Sequence, residues 1–317
     1  MAPAMSPDVA PLFQPLVVKG HTLRNRLVMP PMVTNRSIGG PDGITWYREH
    51  AAGVGLVIVE ATSVNRFGRD LDRENLAALA AAIHDAGALA AIQLFPVDFG
   101  ADVQPAKLPL EAIHGIVAKY RVAARLCADA GFDGVEPHGA HGFVLNQFFS
   151  PLENRRTDDY GGPPASRARL ALEIVQAARE GLGPDRLLLY RHTPVGEGYG
   201  LDDSLAFAAA LVPAGVDILD ISPASDQAPA DRAAPFRRFG VPVIAVNLMD
   251  EVERALEALR EQRADLIAIG RGLIADPQWP QKVRAGRLDD IARCIRCDRG
   301  CFGNLDQGRP IACTQWR

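Results

Sequence analysis

No apolar run in the sequence approaches the roughly 20 residues needed to cross a bilayer, so no membrane-spanning helix is expected. The opening residues, MAPAMSPDVAPLFQ, lack the basic stretch and long apolar segment of a secretory leader, and a cytoplasmic protein is expected. Positive charge is in deficit. Lys and Arg number 34 against 38 Asp and Glu, and the formal net charge of -4 leaves no basic footprint for nucleic acid. Cysteine is scarce, with five in 317 residues, and in a reducing compartment cysteines stay as thiols or hold metal more often than they pair. Apolar residues are plentiful: 48% hydrophobic with 23% charged is the balance of a globular protein with a substantial core.

The apolar residues fall in short, regular runs. Leu12 to Asn25 reads as a hairpin turning at Lys19-Gly20. Eight runs follow: Leu27 to Met32, Leu56 to Ala61, Leu89 to Gln93, Gly134 to Pro137, Leu187 to Arg191, Val216 to Ile221, Val243 to Val246 and Leu266 to Ile269. Helical spacing separates them over Ile44 to Gly53, Glu74 to Ala86, Leu110 to Ala130, Arg167 to Gly181, Ser204 to Val212 and Glu251 to Arg260. Strands that are apolar throughout belong to a parallel sheet covered on both faces. Eight such units in about 250 residues fit an α/β protein with a closed (β/α)8 TIM barrel better than an open doubly wound sheet. No GxGxxG follows the first run, which weakens the dinucleotide-fold alternative. The expected domains are a barrel over residues 1-290 and a Cys-rich tail over 291-317.

Active sites on this barrel occupy the C-terminal ends of the strands. Pro31, Met32 and Val33 end the first run, Ala61 the second and Gln93 the third. His138 and His141 follow the fourth, Arg191 ends the fifth, Asn247 follows the seventh, and Gly270-Arg271 follows the eighth. All fall on one predicted rim.

The stretch GFDGVEPHGAHGFVLNQFFSPLENRRTDDYGG, Gly131 to Gly162, brings two imidazoles three residues apart to the end of the fourth run. Taken alone, such a pair reads as satisfied polar groups at a helix-strand junction. The surrounding residues resemble the old yellow enzyme family of FMN-dependent oxidoreductases, which carries His-x-x-His or His-x-x-Asn, then Gly-Tyr, a Gln-Phe-Leu-Ser-Pro-like run and Asn-x-Arg-Thr-Asp-x-Tyr-Gly-Gly. The resemblance implies that His138 and His141 donate hydrogen bonds to a substrate oxygen above the flavin. It implies that Arg191 is the cation beside the reduced ring and Gln93 the partner of its amide edge. Pro31, Met32, Val33 and Ala61 would line the ring, and Gly270 and Arg271, with Asn247 as the weaker partner, would meet the phosphate. Phe143 stands where the family has a tyrosine that protonates the substrate's α-carbon, and Tyr160, Tyr190 and Tyr199 are the candidates to replace it. Val33 stands where relatives have Thr or Cys, and a valine cannot hydrogen-bond to the ring. The segment from Phe95 to Pro109 is shorter than the family's loop, which implies a more open pocket on that side.

The tail reads CIRCDRGCFGNLDQGRPIACTQWR, with Cys294, Cys297, Cys301 and Cys313 in a C-x2-C-x3-C-x11-C array. Thiolate fours bind zinc or iron-sulfur clusters, and idle thiols or disulfides are the remaining readings. The spacing is similar to the [4Fe-4S] site in the branch of the same family that includes 2,4-dienoyl-CoA reductase and trimethylamine dehydrogenase. A cluster carries single electrons, so the resemblance implies an electron-transfer protein partner such as a ferredoxin or flavoprotein, with NAD(P)H as a candidate ultimate reductant. Because the chain ends four residues after Cys313, that partner is expected to be a separate protein; family barrels also often pair as homo-oligomers. The leading expectation is an FMN and iron-sulfur oxidoreductase acting on an activated C=C bond of a small molecule, in either direction. A flavin-dependent amine dehydrogenase or demethylase and a non-catalytic flavin electron-transfer subunit are the alternatives.

Overall fold

The computed structural model describes residues 8-225 and 230-316. An N-terminal hairpin, β1 (Leu16–Val18) and β2 (His21–Leu23), precedes eight parallel strands. These are β3 (Leu27–Met29), β4 (Leu56–Ser63), β5 (Leu89–Phe95), β6 (Gly134–Gly139), β7 (Leu187–His192), β8 (Ile218–Ile221), β9 (Val243–Ala245) and β10 (Leu266–Ala268). They pair in chain order, and β10 returns to β3 through Ile267 opposite Leu27, so the sheet is a closed (β/α)8 barrel. Helices Pro41–Ala51, Arg73–Asp85, Leu110–Asp129, Pro164–Leu182, Leu201–Leu211 and Val252–Arg260 cover its outside.

Every apolar run forms a strand, with two instructive departures. The first stops at Met29 because Pro30 and Pro31 have no N–H for the ladder. Between β8 and β9 the chain forms a 3-10 helix, Ala230–Phe239, where no helical spacing marks the sequence; Pro235 inside it explains why no α-helix forms.

Alternate strand residues point inward, and they sort by height. At the N-terminal end Val28, Leu56, Ile58, Leu189 and Ile244 fill the lumen, and Val18 and Leu23 of the hairpin pack into the same cluster. The hairpin therefore stoppers one end of the barrel. Its two-residue turn puts Lys19 at φ 51 and Gly20 at φ 83, the left-handed pair that matches the twist of a tight hairpin. Lys19 Nζ then reaches Asp217 Oδ1 at 2.9 Å, and His21 pairs with the Asp185 carbonyl at 3.0 Å, fastening it beneath β7 and β8. Cys127 is core: it is fully buried in the helix before β6, and burial pushes its thiol up.

After β10 come two short helices, Arg271–Ala275 and Trp279–Arg284, and then a segment with only the short helices Leu288–Asp290 (3-10) and Phe302–Leu305. This tail is strapped to the loop that follows β3. Ile311 N–H donates to the Thr34 carbonyl at 3.0 Å, Asn35 Nδ2 to the Arg309 carbonyl at 3.1 Å and Arg36 Nη2 to the Ile311 carbonyl at 3.2 Å. Among the described residues no helix is long and apolar enough to cross a membrane.

Because Leu23 is fully buried in the stopper, Leu23→Ala should cost about 2–5 kcal/mol of stability, read from urea unfolding. An unchanged midpoint would mean that the hairpin does not brace the barrel.

Candidate active site at the C-terminal mouth

Above the apolar filling, the next inward positions of four adjacent strands are polar: Gln93, Glu136, Arg191 and Asp220, all buried. Register puts Gln93 opposite Glu136 and Arg191 opposite Asp220. Gln93 Nε2 donates to Glu136 Oε1 at 2.7 Å. Arg191 Nη2 donates to Ser222 Oγ at 2.9 Å, and its Nε lies 3.5 Å from Asp220 Oδ2. Glu136 Oε2 and both Asp220 oxygens have no hydrogen-bond partner among the described residues. Burial raises the Glu136 carboxyl strongly and the Asp220 charge raises it further, against the pull of Arg191 and Gln93. Burial also raises Asp220, opposed by Arg191.

His138 is the next inward residue of β6 and pairs in register with Arg191. Burial and then the Arg191 charge lower its imidazole to about 3. His141 lies just beyond the strand at φ 61, a left-handed conformation that costs a non-glycine residue of order 1–3 kcal/mol. Two bonds hold it there: its N–H donates to Thr193 Oγ1 at 2.9 Å, and Nε2 pairs with Ser222 Oγ at 2.9 Å. Burial lowers His141 well below the usual range, with Arg191 and His138 adding to it. The rings sit 5.4 Å apart. Both are neutral near pH 7, so each can donate one N–H without bringing a charge.

Phe143 is half exposed and meets His138 edge-on at 5.4 Å and Phe95 at 5.2 Å; Phe95 in turn stacks on Phe99 at 4.5 Å. The hydroxyls of the tyrosines suggested as its replacement are engaged elsewhere or turned outward. Tyr160 donates to Glu173 Oε2 at 2.8 Å, and Tyr199 donates to the Thr193 carbonyl at 2.9 Å. Tyr190 follows the alternation: next to inward-facing Arg191, it points outward over Gly139, where a Cβ would overlap its ring.

Pro31, Met32 and Val33 leave β3 at the same mouth, and Met32 Sδ lies 3.3 Å from where a Cβ on Gly270 would sit. Ala61 is buried on β4 beside Glu60. Glu60 accepts from Thr34 N–H at 2.8 Å, from the Thr34 hydroxyl and from Tyr47 at 3.2 Å; burial raises it to about 7 against these bonds. After β9, Asn247 and Leu248 take φ 96 and φ 56 in succession, a backbone that would suit glycine. Arg271 donates to Asp298 Oδ1 at 3.2 Å and lines the pocket of the cysteine tail, so its guanidinium is turned towards the tail.

Cys294, Cys297, Cys301 and Cys313 line that one small pocket. Among the described residues no three His, Cys, Asp or Glu side chains are grouped tightly enough for a single metal ion. Between Cys294 and Cys301 only Arg296 and Asp298 have positive φ, both 55, so the backbone alternates in sign. Such alternation turns successive N–H groups towards one concavity.

Comparison with known proteins identifies the fold's lineage. The model of the NADH:flavin oxidoreductase / NADH oxidase family matches residues 11–104, 96–225 and 227–290. The chain belongs to this family. It is 34% identical to an NADH oxidase of Thermoanaerobacter brockii over 96% of the chain and 55% of that protein. It is also 34% identical to an NADPH dehydrogenase of Bacillus licheniformis, over 91% of the chain and 98% of that protein. A solved 2-naphthoyl-CoA reductase superposes with a TM-score of 0.86 at 23% identity, covering 97% of this chain and 57% of that one, which is agreement in fold. The chain thus spans about half the length of the NADH oxidase it matches.

Within this flavin oxidoreductase barrel, the residues that composition and motif leave unmarked are Glu136, Thr193, Asp220 and Ser222, while Glu60 is marked only by its place at the end of the second run. Their signal in the sequence is parity: Glu136 and Asp220 are charged residues at inward positions of otherwise apolar strands.

Glu60 gives a pH test. Its raised carboxyl makes folding most favourable while it is protonated, so this contribution is complete below about pH 4.5 and is lost as pH rises through about 7. Relative to Glu60→Gln, the wild-type protein should lose about 3 kcal/mol across that interval in urea unfolding. A constant difference would show that Glu60 titrates normally.

Proposed function

We propose that residues 1-290 form the FMN-binding barrel of an old yellow enzyme-type oxidoreductase, drawing on NAD(P)H and acting on an activated C=C bond of a small molecule, by reduction or its reverse. The observation that carries this reading is the neutral His138/His141 pair held over Arg191 and Gln93 at the C-terminal end of the barrel. The residues fit a flavin: Arg191 offers a buried cation, Gln93 an amide, and Gly270 a position where backbone approaches Met32 with no Cβ between. Asn247 and Arg271 would reach the phosphate. Bound FMN supplies hydride transfer. His138 and His141 donate to the substrate's carbonyl oxygen, and because they are neutral and fixed, their dipoles favour the charge that develops there without reorganising. Arg191 stabilises negative charge beneath. Phe143 has no proton to give, so protonation of the α-carbon falls to water.

We read the four tail cysteines, in residues 291-317, as ligands of a [4Fe-4S] cluster. They share one pocket with a sign-alternating backbone suited to an anionic centre, whereas a single zinc at about 2.3 Å from each sulfur would need them drawn tightly together. Single-electron traffic through the tail would serve a protein donor or acceptor. An amine dehydrogenase reading is favoured by one observation: the exposed rings of Phe143, beside His138, and of Phe99, stacked on Phe95, offer faces to a cation and no acid.

The absorption spectrum with iron and sulfide analysis tests the cofactors: FMN with about four irons supports the reading, and a colourless protein overturns it. Adding NADPH anaerobically tests the partner, since rapid bleaching of the flavin without one would remove the need for it. Phenol should give a long-wavelength charge-transfer band. His141→Ala should abolish that band and lower enone turnover about 10²-fold, the effect of losing one oxyanion donor. Phe143→Tyr should raise activity towards simple enones; no change, or a fall, would count against C=C reduction.

A further inference from the structure

Three ionisable groups share the barrel interior beneath the mouth, and the chemistry above uses only one. Glu136 and Asp220 flank Arg191 from neighbouring strands, both without solvent contact. Two ionised carboxylates against one guanidinium would leave a net negative charge in a closed apolar lumen, which is expensive. The bonds divide the two acids unequally. The Asp220 carboxyl makes no hydrogen bond among the described residues but lies 3.5 Å from Arg191 Nε, whereas Glu136 meets only a neutral amide, Gln93, through one oxygen.

We propose that Glu136 is a permanently protonated acid at neutral pH while Asp220 stays ionised against Arg191, and that this division sets how much of the Arg191 charge is available to an anion at the mouth. Glu136 and Asp220 are positioning residues, acting through Gln93 and Arg191. The groups that face them are Gln93 on β5, His138 above on β6, Arg191 on β7, and Ser222 with its partner His141 at the rim; both histidines are neutral. Burial and the Asp220 charge both push Glu136 upward, which agrees with the geometry. A neutral Glu136 still accepts from Gln93 Nε2 through its carbonyl oxygen, so the amide keeps this bond whether or not the acid is protonated. Removing the proton would place a second negative charge below the mouth and weaken the hold of Arg191 on any anion there.

The flavin part of this inference rests on the function proposed above, so the test has one arm that needs no flavin. Infrared spectra of the purified protein at about pH 8, where Glu60 and ordinary carboxyls are ionised, should show a protonated carboxyl band that shifts on 13C-glutamate labelling. The band should vanish in Glu136→Gln and persist in Glu60→Gln. Its absence from the wild-type protein overturns the proposal even if no variant folds. The second arm is the flavin midpoint potential. At neutral pH Glu136→Gln should leave it within a few millivolts, because a neutral amide replaces a neutral acid. Asp220→Asn should raise it by at least the 29.6 mV that corresponds to a tenfold change in a two-electron equilibrium. With rising pH the wild-type potential should fall below that of Glu136→Gln. Equal rises in both variants at neutral pH would mean that Glu136 is ionised, and would overturn the proposal. Failure to bind flavin at all, with the infrared band intact, would sink the functional reading and leave the protonated acid standing.

Discussion

The buried contact between Arg191 and Asp220 is the constraint on which the mouth depends. A guanidinium inside a barrel needs a counter-charge, and here Asp220 supplies one 3.5 Å from Nε while the Ser222 hydroxyl accepts from Nη2, although Nε has no hydrogen-bond partner among the described residues. Ser222 in turn pairs with His141, so the cation and the imidazole are oriented by one hydroxyl. The same positive charge, together with burial, keeps His138 and His141 unprotonated. Position and charge at the rim are thus set from below.

This arrangement works because the barrel is layered. Apolar side chains fill the end closed by the hairpin, polar ones occupy the next level, and the histidines emerge above them. The alternation of strand side chains generates the layers without any loop being involved. The loops contribute the strained elements: His141, Asn247 and Leu248 all hold left-handed backbone at the mouth, where surrounding structure over-determines them.

Much of this was legible in the sequence, for a physical reason. Parallel strands buried on both faces must be apolar at successive positions, so eight runs identify eight strands, and the fold then assigns Gln93, His138, Arg191 and Gly270 to one rim. Pairings between strands were not legible. That Arg191 is answered by Asp220 depends on register between segments 29 residues apart, and no local pattern encodes it. The turn of Arg271 towards Asp298 likewise depends on where the tail docks. The outward direction of Tyr190 could have been read from parity with Arg191, whereas the hydroxyls of Tyr160 and Tyr199 are committed to partners that only the folded chain brings near. The 3-10 segment around Pro235 escaped because its residues carry no periodicity.

The ring closes where β10 meets β3, pairing Ile267 with Leu27, and the tail crosses the same seam when Ile311 bonds Thr34. These contacts span most of the chain, the most costly kind of loop to close. While the ribosome is still extending the polypeptide, β3 therefore stands as an open edge with its apolar faces bare until the eighth barrel strand has emerged. Protecting that edge during synthesis is a demand that this architecture places on the cell's chaperones.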